Sequence, residues 1–295
     1  MHRIRLAENF RAAFYGPFYA TQELGFFDDE KVAVELVHSA TPGSANSGLL
    51  DGSLDVSWGG PMRVLRDRNQ ADGIGLMAFC EVVARDPFYL VARPGLGSFS
   101  LADLQNLRFG STSEVPTPWL CLQHDLRQLD IDPARLDRIP DRTMGENLAA
   151  LSAGTLDVAQ MFEPFASTAE REGKGRIVHA ASARGETCYT TFLSLRETIA
   201  RRNDAFAAMT RAIARMQAWL GAHGADELAR IVAAYYPDIA FADLAAAYRR
   251  YADAGLWSKT PEVSRAGLDR LARSLKSGGF ITSIPPYEDC VATPA

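Results

Sequence analysis

The stretch from 4 to 37 constrains the fold more than any other part of the chain. An apolar strand, IRLAE at 4–8, runs into an aromatic, proline-bearing turn and a short helix that stops at Leu24-Gly25-Phe26-Phe27. An acidic turn and a second strand, VAVELV at 32–37, follow. Strand, loop, helix and strand within about thirty residues make a βαβ unit, whose strands run parallel with a right-handed crossover. In such sheets ligands bind outside the carboxyl ends of the strands, where loops lead into helix N-termini. The segment from Phe14 to Tyr19, with Tyr15 in it, falls at that position.

The alternation continues. Strands at 54–58 and 74–80 follow helices at 44–51 and 60–69, and DPFYLVARP at 86–94 reads as an extended crossing segment ended by Pro94. A second series has strands at 107–110, 156–160 and 176–180, with helices at 100–105, 116–129, 144–153 and 163–172. ETCYTTFLSL at 186–195 reads as the return crossing, and beyond 196 apolar residues recur only at helical spacing. LLDGSLDVSW (49–58) and LSAGTLDVAQMF (151–162) repeat one architectural step, with Gly52 and Gly154 at left-handed helix ends where a Cβ would clash. Two α/β lobes result: 1–88 plus 190–295 as lobe I, 92–186 as lobe II, and hinges about 88–92 and 186–190. A cleft between two lobes is a preferred place for a ligand pocket.

Composition narrows the function. The chain has 295 residues, 47% apolar, enough for two cores. Its net charge is −5, and no basic cluster exceeds Arg201-Arg202 or Arg249-Arg250, which argues against nucleic acid. No apolar run has the length of a membrane span. Met1-His2-Arg3 leads into the first strand without an apolar leader, so the expectation is a periplasmic protein if a signal sequence was removed and a cytoplasmic one otherwise. Cys80, Cys121, Cys188 and Cys290 form no CxxC pair; they read as reduced thiols, none needed for function, and no metal set emerges.

The motif Pro17, Phe18, Tyr19, Ala20, Glu23, Gly25, Phe26, Phe27, Asp29, Glu30, Val34 and Glu35 resembles the opening of the sulfonate, taurine and thiamine-pyrimidine binding proteins of ABC importers, the NMT1/THI5-like group. LLDGSLDVSWGGP (49–61), FSLADLQNLRFGSTS (99–113) and LSAGTLDVAQMFEPFASTAEREGKGRIV (151–178) extend the likeness over nearly the whole chain. The resemblance implies a type II periplasmic-binding-protein fold and a monomeric protein that closes around a small organic ligand. That ligand would be a sulfonate, a pyrimidine-type thiamine precursor or another small aromatic or anionic solute, delivered to an ABC permease. The alternative it leaves is a cytoplasmic enzyme of the same fold acting on a small aromatic or sulfur-containing substrate; a cytosolic sensor is a third. Family enzymes carry a pyridoxal-bound lysine with a histidine, or a cysteine in the first loop. Here the matching segments read DVSWGGPM and FYGPFY, with none of these, so no cofactor is expected.

The residues themselves give the candidate ligand site. Ser44, at a helix N-cap in TPGSANSG, and the cluster Ser111, Thr112 and Ser113, ahead of Pro116, can offer hydroxyls and helix-end N–H groups to an anion, or merely cap their own helices. Trp58, Gly59 and Gly60 form a flat wall with close backbone approach; packing between sheet and helix is the even alternative for Trp58. Tyr15, Phe18 and Tyr19 offer similar surfaces, with at least one of Phe18 and Tyr19 packing with its helix; Phe14 opens the same loop, Tyr189 lies on the return crossing, and His38 ends the second strand. Glu163 ends a lobe II strand and can accept from a ligand or cap the helix after Pro164. Arg63 points toward the same cleft, with a surface ion pair as its default reading.

Overall fold

The computed structural model describes residues 1–8, 10–38 and 44–295, so positions 41–43 of the TPGSANSG loop lie outside the described residues. Among the described residues ten strands form two sheets. They are β1 His2–Glu8, β2 Val32–His38, β3 Val56–Gly59, β4 Leu76–Val83, β5 Tyr89–Ala92, β6 Phe109–Thr112, β7 Arg138–Arg142, β8 Val158–Met161, β9 Arg176–Ala180 and β10 Thr190–Leu195. The helices are α1 Gly16–Glu23, α2 Phe26–Asp29, α3 Ala45–Asp51, α4 Met62–Asp67, α5 Thr117–Arg127, α6 Met144–Ser152, α7 Phe165–Arg171 and α8 Arg196–Arg201. The C-terminal region adds α9 Asn203–Val232, broken at Gly224, then α10 Phe241–Asp253, α11 Arg265–Ser277 and α12 Tyr287–Cys290.

The first sheet has the order β2-β1-β3-β10-β4 and the second β7-β6-β8-β5-β9. β1 runs parallel to β2 and β3, and β6 parallel to β7 and β8. The four remaining pairings obey one rule. β10 is antiparallel to β3 and β4, and β5 is antiparallel to β8 and β9. Each of these strands is the one that has just crossed between lobes, so it enters its new sheet at the carboxyl edge and runs back against its neighbours. The segments 86–94 and 186–195, read as crossings, are thus extended as expected, but Tyr89–Ala92 and Thr190–Leu195 are inner strands of the two sheets. β7, an edge strand, is an element that the sequence reading left out.

Gly52 and Gly154 both end their helices with positive φ, 75° and 70°, and the strand that each "LDV" opens follows directly. One apolar core joins the lobes: Phe14, Tyr15 and Trp58 from the first share it with Met161, Phe162 and Leu151 from the second. A second core packs α11 against α5, bringing Leu271 and Leu275 together with Leu120 and Cys121. The helical C-terminal region therefore supports lobe I and also touches lobe II. Among the described residues no helix is long and apolar enough to cross a membrane.

Candidate functional site

The carboxyl edges of the two sheets face each other across a cavity of about 450 Å³. The loop after β1 supplies Phe10, Phe14 and Tyr15, and α3 supplies Asn46. Gly60, Met62, Arg63, Arg66 and Gln70 come from the end of β3 and from α4 and its extension. Lobe II closes the other side with Glu114, Val115, Pro116 and Thr117, and Tyr189 enters from the return crossing. Thr117 Oγ1 donates to Met62 Sδ at 2.8 Å, a direct contact from one lobe to the other.

Aromatic rings make the apolar wall. Phe14 meets Phe162 of lobe II edge-on at 5.3 Å and Tyr189 at 6.1 Å, while Phe10 stacks on Phe162 at 6.3 Å. Such pairs hold their geometry because ring edges are electropositive and faces electronegative. Burial pushes the Tyr189 phenol well above its ordinary value, so it stays a neutral hydroxyl at physiological pH.

Two arginines make the polar wall. Arg63 and Arg66 are three apart on α4 and share one face of that helix. Burial pulls the Arg63 guanidinium below its ordinary value, while neighbouring Tyr15 opposes the shift; an arginine so placed remains cationic. Gly59 makes room for it: a Cβ there would lie 3.1 Å from Arg63 Nη1. Asp67 also borders the cavity, but its carboxylate is spent on the backbone N–H groups of Ile74, Gly75 and Leu76 at 2.7, 3.1 and 3.0 Å. With Asp67 so engaged, Arg63 and Arg66 form the cationic side of a partly buried pocket with aromatic walls, and Glu114 places a carboxylate on its lobe II side.

Of the residues singled out by sequence, the structure brings Phe14, Tyr15, Gly60 and Tyr189 together on this cavity, with Gly59 directly behind Arg63. It puts the others elsewhere. Trp58 is 1% exposed and stacked on Phe18 at 4.6 Å, on the helix-packing side of β3. Tyr19 stacks on Tyr235 at 4.2 Å and donates from its hydroxyl to Glu8 Oε2 at 2.5 Å. His38 contacts the same Glu8 carboxylate through Nδ1, and with Ser44 it borders a separate surface hollow. Ser111 Oγ accepts from Arg138 Nη1 at 2.8 Å, Thr112 Oγ1 donates to Glu114, and the exposed Ser113 pairs its N–H with the Arg142 carbonyl at 3.0 Å. Glu163 is fully buried; its Oε2 accepts from the Ser167 N–H at 2.9 Å and its Oε1 forms an ion pair with Arg250, 3.1 Å from Nε, so it caps α7 and ties it to α10. Burial still raises its pKa, with the Ser167 N–H and Arg250 working against the shift.

Sequence reasoning pointed Arg63 toward the cleft with a surface ion pair as its default and brought loops 57–62 and 111–117 there without singling out Met62 or Glu114–Thr117 as contacts; it passed over Phe10, Arg66 and Gln70. The Arg63/Arg66 spacing immediately after a strand end was the available signal.

Two α/β lobes with a ligand-sized cavity between their carboxyl edges define a type II periplasmic-binding-protein fold. Within it, the chain belongs to the NMT1-like family, whose model matches residues 11–235. YtlA of Bacillus subtilis (strain 168), called a binding protein with no ligand stated, is 24% identical over 98% of this chain and 87% of its own length. The periplasmic aliphatic sulphonate binding protein SsuA of Escherichia coli superposes with a TM-score of 0.77 at 14% identity, covering 99% of this chain and 97% of that one. The ligand binding component of an ABC-type import system from Staphylococcus aureus gives 0.76 at 16% identity, with 99% and 97% covered.

Proposed function

We propose that this protein is the solute-binding component of an ABC importer and that it holds a small organic anion in the interlobe cavity. One observation carries the reading: Arg63, half-buried beside Gly59, and the exposed Arg66, whose guanidinium lies over the Phe280 ring at 5.4 Å, both line a cavity of about 450 Å³ that both lobes build, with Phe10, Phe14 and Tyr15 on its sides. Guanidinium groups bind sulfonate or carboxylate oxygens through paired N–H donors, and charge-assisted bonds of this kind are stronger than neutral ones. The rings of Phe10, Phe14 and Tyr15 then suit the organic part. Similarity to sulphonate-binding SsuA and to an import component supports this solute class, a permease as partner, and action outside the cytoplasmic membrane. The candidate contacts are Phe14, Tyr15, Gly60 and Tyr189 from the sequence, with Arg63 and Arg66 from the structure.

Native mass spectrometry of freshly purified protein should show a bound organic anion that is lost on mild denaturation. Calorimetry with that molecule should then show Arg63→Met and Arg66→Met each binding at least tenfold more weakly than the parent. Parent-like binding by both variants would remove the cavity from consideration.

A further inference from the structure

Glu114 is the acidic side chain that lobe II presents to the cavity, opposite Arg63 and Arg66 of lobe I. An anion-binding pocket gains nothing from a carboxylate unless the ligand has something to give it. The carboxylate is held in place from both sides: Thr112 Oγ1 donates to Oε2, and the Met144 backbone N–H donates to Oε1 at 3.0 Å. Thr112 Oγ1 also accepts from the Glu114 N–H, at 3.4 Å, which closes a small ring. A carboxylate has about four lone-pair sites. The protein takes one on each oxygen, which leaves each able to accept once more.

We infer that Glu114 is a specificity determinant, and that the site selects organic anions carrying a hydrogen-bond donor (an amine, amide N–H or hydroxyl) at the end remote from the anionic group. The anion sits at Arg63 and Arg66 and the donor at Glu114. A ligand without the donor leaves the carboxylate desolvated with its remaining acceptor sites unmet beside the rest of an anion, and like charges brought together are strongly disfavoured. Sites built to receive a polar group reject analogues lacking it far more sharply than apolar pockets reject a missing methyl. Thr112 is a positioning residue: it aims Glu114 and does not itself line the cavity.

This inference rests on the anion-binding reading, and its test separates the two. Calorimetry is run with two matched pairs of probes, 4-aminobenzenesulfonate against 4-methylbenzenesulfonate and 3-aminopropanesulfonate against butanesulfonate. The parent should bind the amino member of at least one pair tenfold or more tighter than its partner. Glu114→Gln should shrink that ratio to within about threefold, chiefly by improving the methyl member, while Glu114→Asp keeps the rejection. Thr112→Val should lower the ratio and Thr112→Ser restore it, with melting temperatures recorded for every variant. Equal binding of both members by the parent, or a ratio unchanged in Glu114→Gln, overturns the role of Glu114 and leaves anion binding intact. If folded parent binds no member of either pair, both readings fall.

Discussion

The Arg63 guanidinium packs against Gly59, its Nη1 3.1 Å from the position that a Cβ on that glycine would take. At that distance a methyl group and the guanidinium do not both fit without a shift of a few tenths of an ångström. Leu193 Cδ1, 3.5 Å away on the neighbouring strand, limits where the methyl can go. Gly59→Ala should therefore move the charge more than the fold. The expected result is a three- to tenfold loss of affinity for an organic anion, about 0.7–1.4 kcal/mol, with a melting temperature within about 4 °C of the parent. A variant that binds as the parent does would mean that Arg63 does not hold the anion.

Trp58 lies one residue earlier and on the other side of β3. Its indole is 1% exposed and stacks on Phe18 at 4.6 Å with Tyr15 and Tyr19 beside it, at 5.7 and 5.4 Å. Trp58→Ala should destabilise the protein by about 3–5 kcal/mol, the usual cost of emptying a large aromatic site. Among the described residues Nε1 has no hydrogen-bond acceptor, so Trp58→Phe forfeits no hydrogen bond and should cost clearly less. Urea unfolding of the two variants measures this directly. Equal, small losses in both would show that the stack contributes little.

These neighbours show what the sequence could and could not reveal. The βα alternation, the two lobes and the helix ends at Gly52 and Gly154 follow from local chemistry, and the φ values of 75° and 70° match the residues that tolerate them. What a strand pairs with is not local: 86–94 and 186–195 look extended in sequence, but only the point of re-entry into each sheet makes Tyr89–Ala92 and Thr190–Leu195 antiparallel inner strands. The site was harder still. Side chains alternate along β3, so adjacent residues Trp58 and Gly59 serve opposite faces, and the sequence does not say which face meets the cleft. Ser111 and Thr112 look like anion ligands until Arg138 and Glu114, far apart or unremarked in the chain, are seen to claim their hydroxyls.

The thiols should be inert in the native state. All four cysteines are free and buried. Burial pushes Cys121 up to about 12, with the nearby Arg184 charge opposing the shift, and Cys290 up to about 11. Cys80 and Cys188 are raised by burial as well. Thiolate is the reactive form, so little of it exists at neutral pH. A thiol reagent such as dithionitrobenzoate at pH 7.5 should report fewer than one reactive group per native chain, rising to four in guanidinium. Fast labelling of any one thiol in folded protein would contradict this.

Glu81 should make stability fall as pH rises from the ordinary carboxylate range to its raised folded pKa. It is 1% exposed on β4, just before the chain leaves lobe I. Burial raises its pKa, and the Cys188 thiol, Ser258 hydroxyl and Ser264 N–H oppose this only in part, while Glu186 adds to the rise. The unfolded side chain titrates near its ordinary value of about 4.3. Above that pH the folded state holds the proton more often than the unfolded one, so each step upward costs stability until the folded pKa is passed. Glu81→Gln removes the titration. Its carboxamide keeps an acceptor for Ser258, 2.7 Å away, but sets an NH₂ beside the Ser264 N–H, so a constant offset is expected at every pH. The diagnostic quantity is therefore the slope. The melting temperature of Glu81→Gln minus that of the parent should become more positive as pH rises above about 4.3 and level off once the folded pKa is passed. A flat or falling difference would mean that Glu81 is ionised in the folded protein as readily as in water, and that the hydroxyl, thiol and backbone donors around it fully offset its burial.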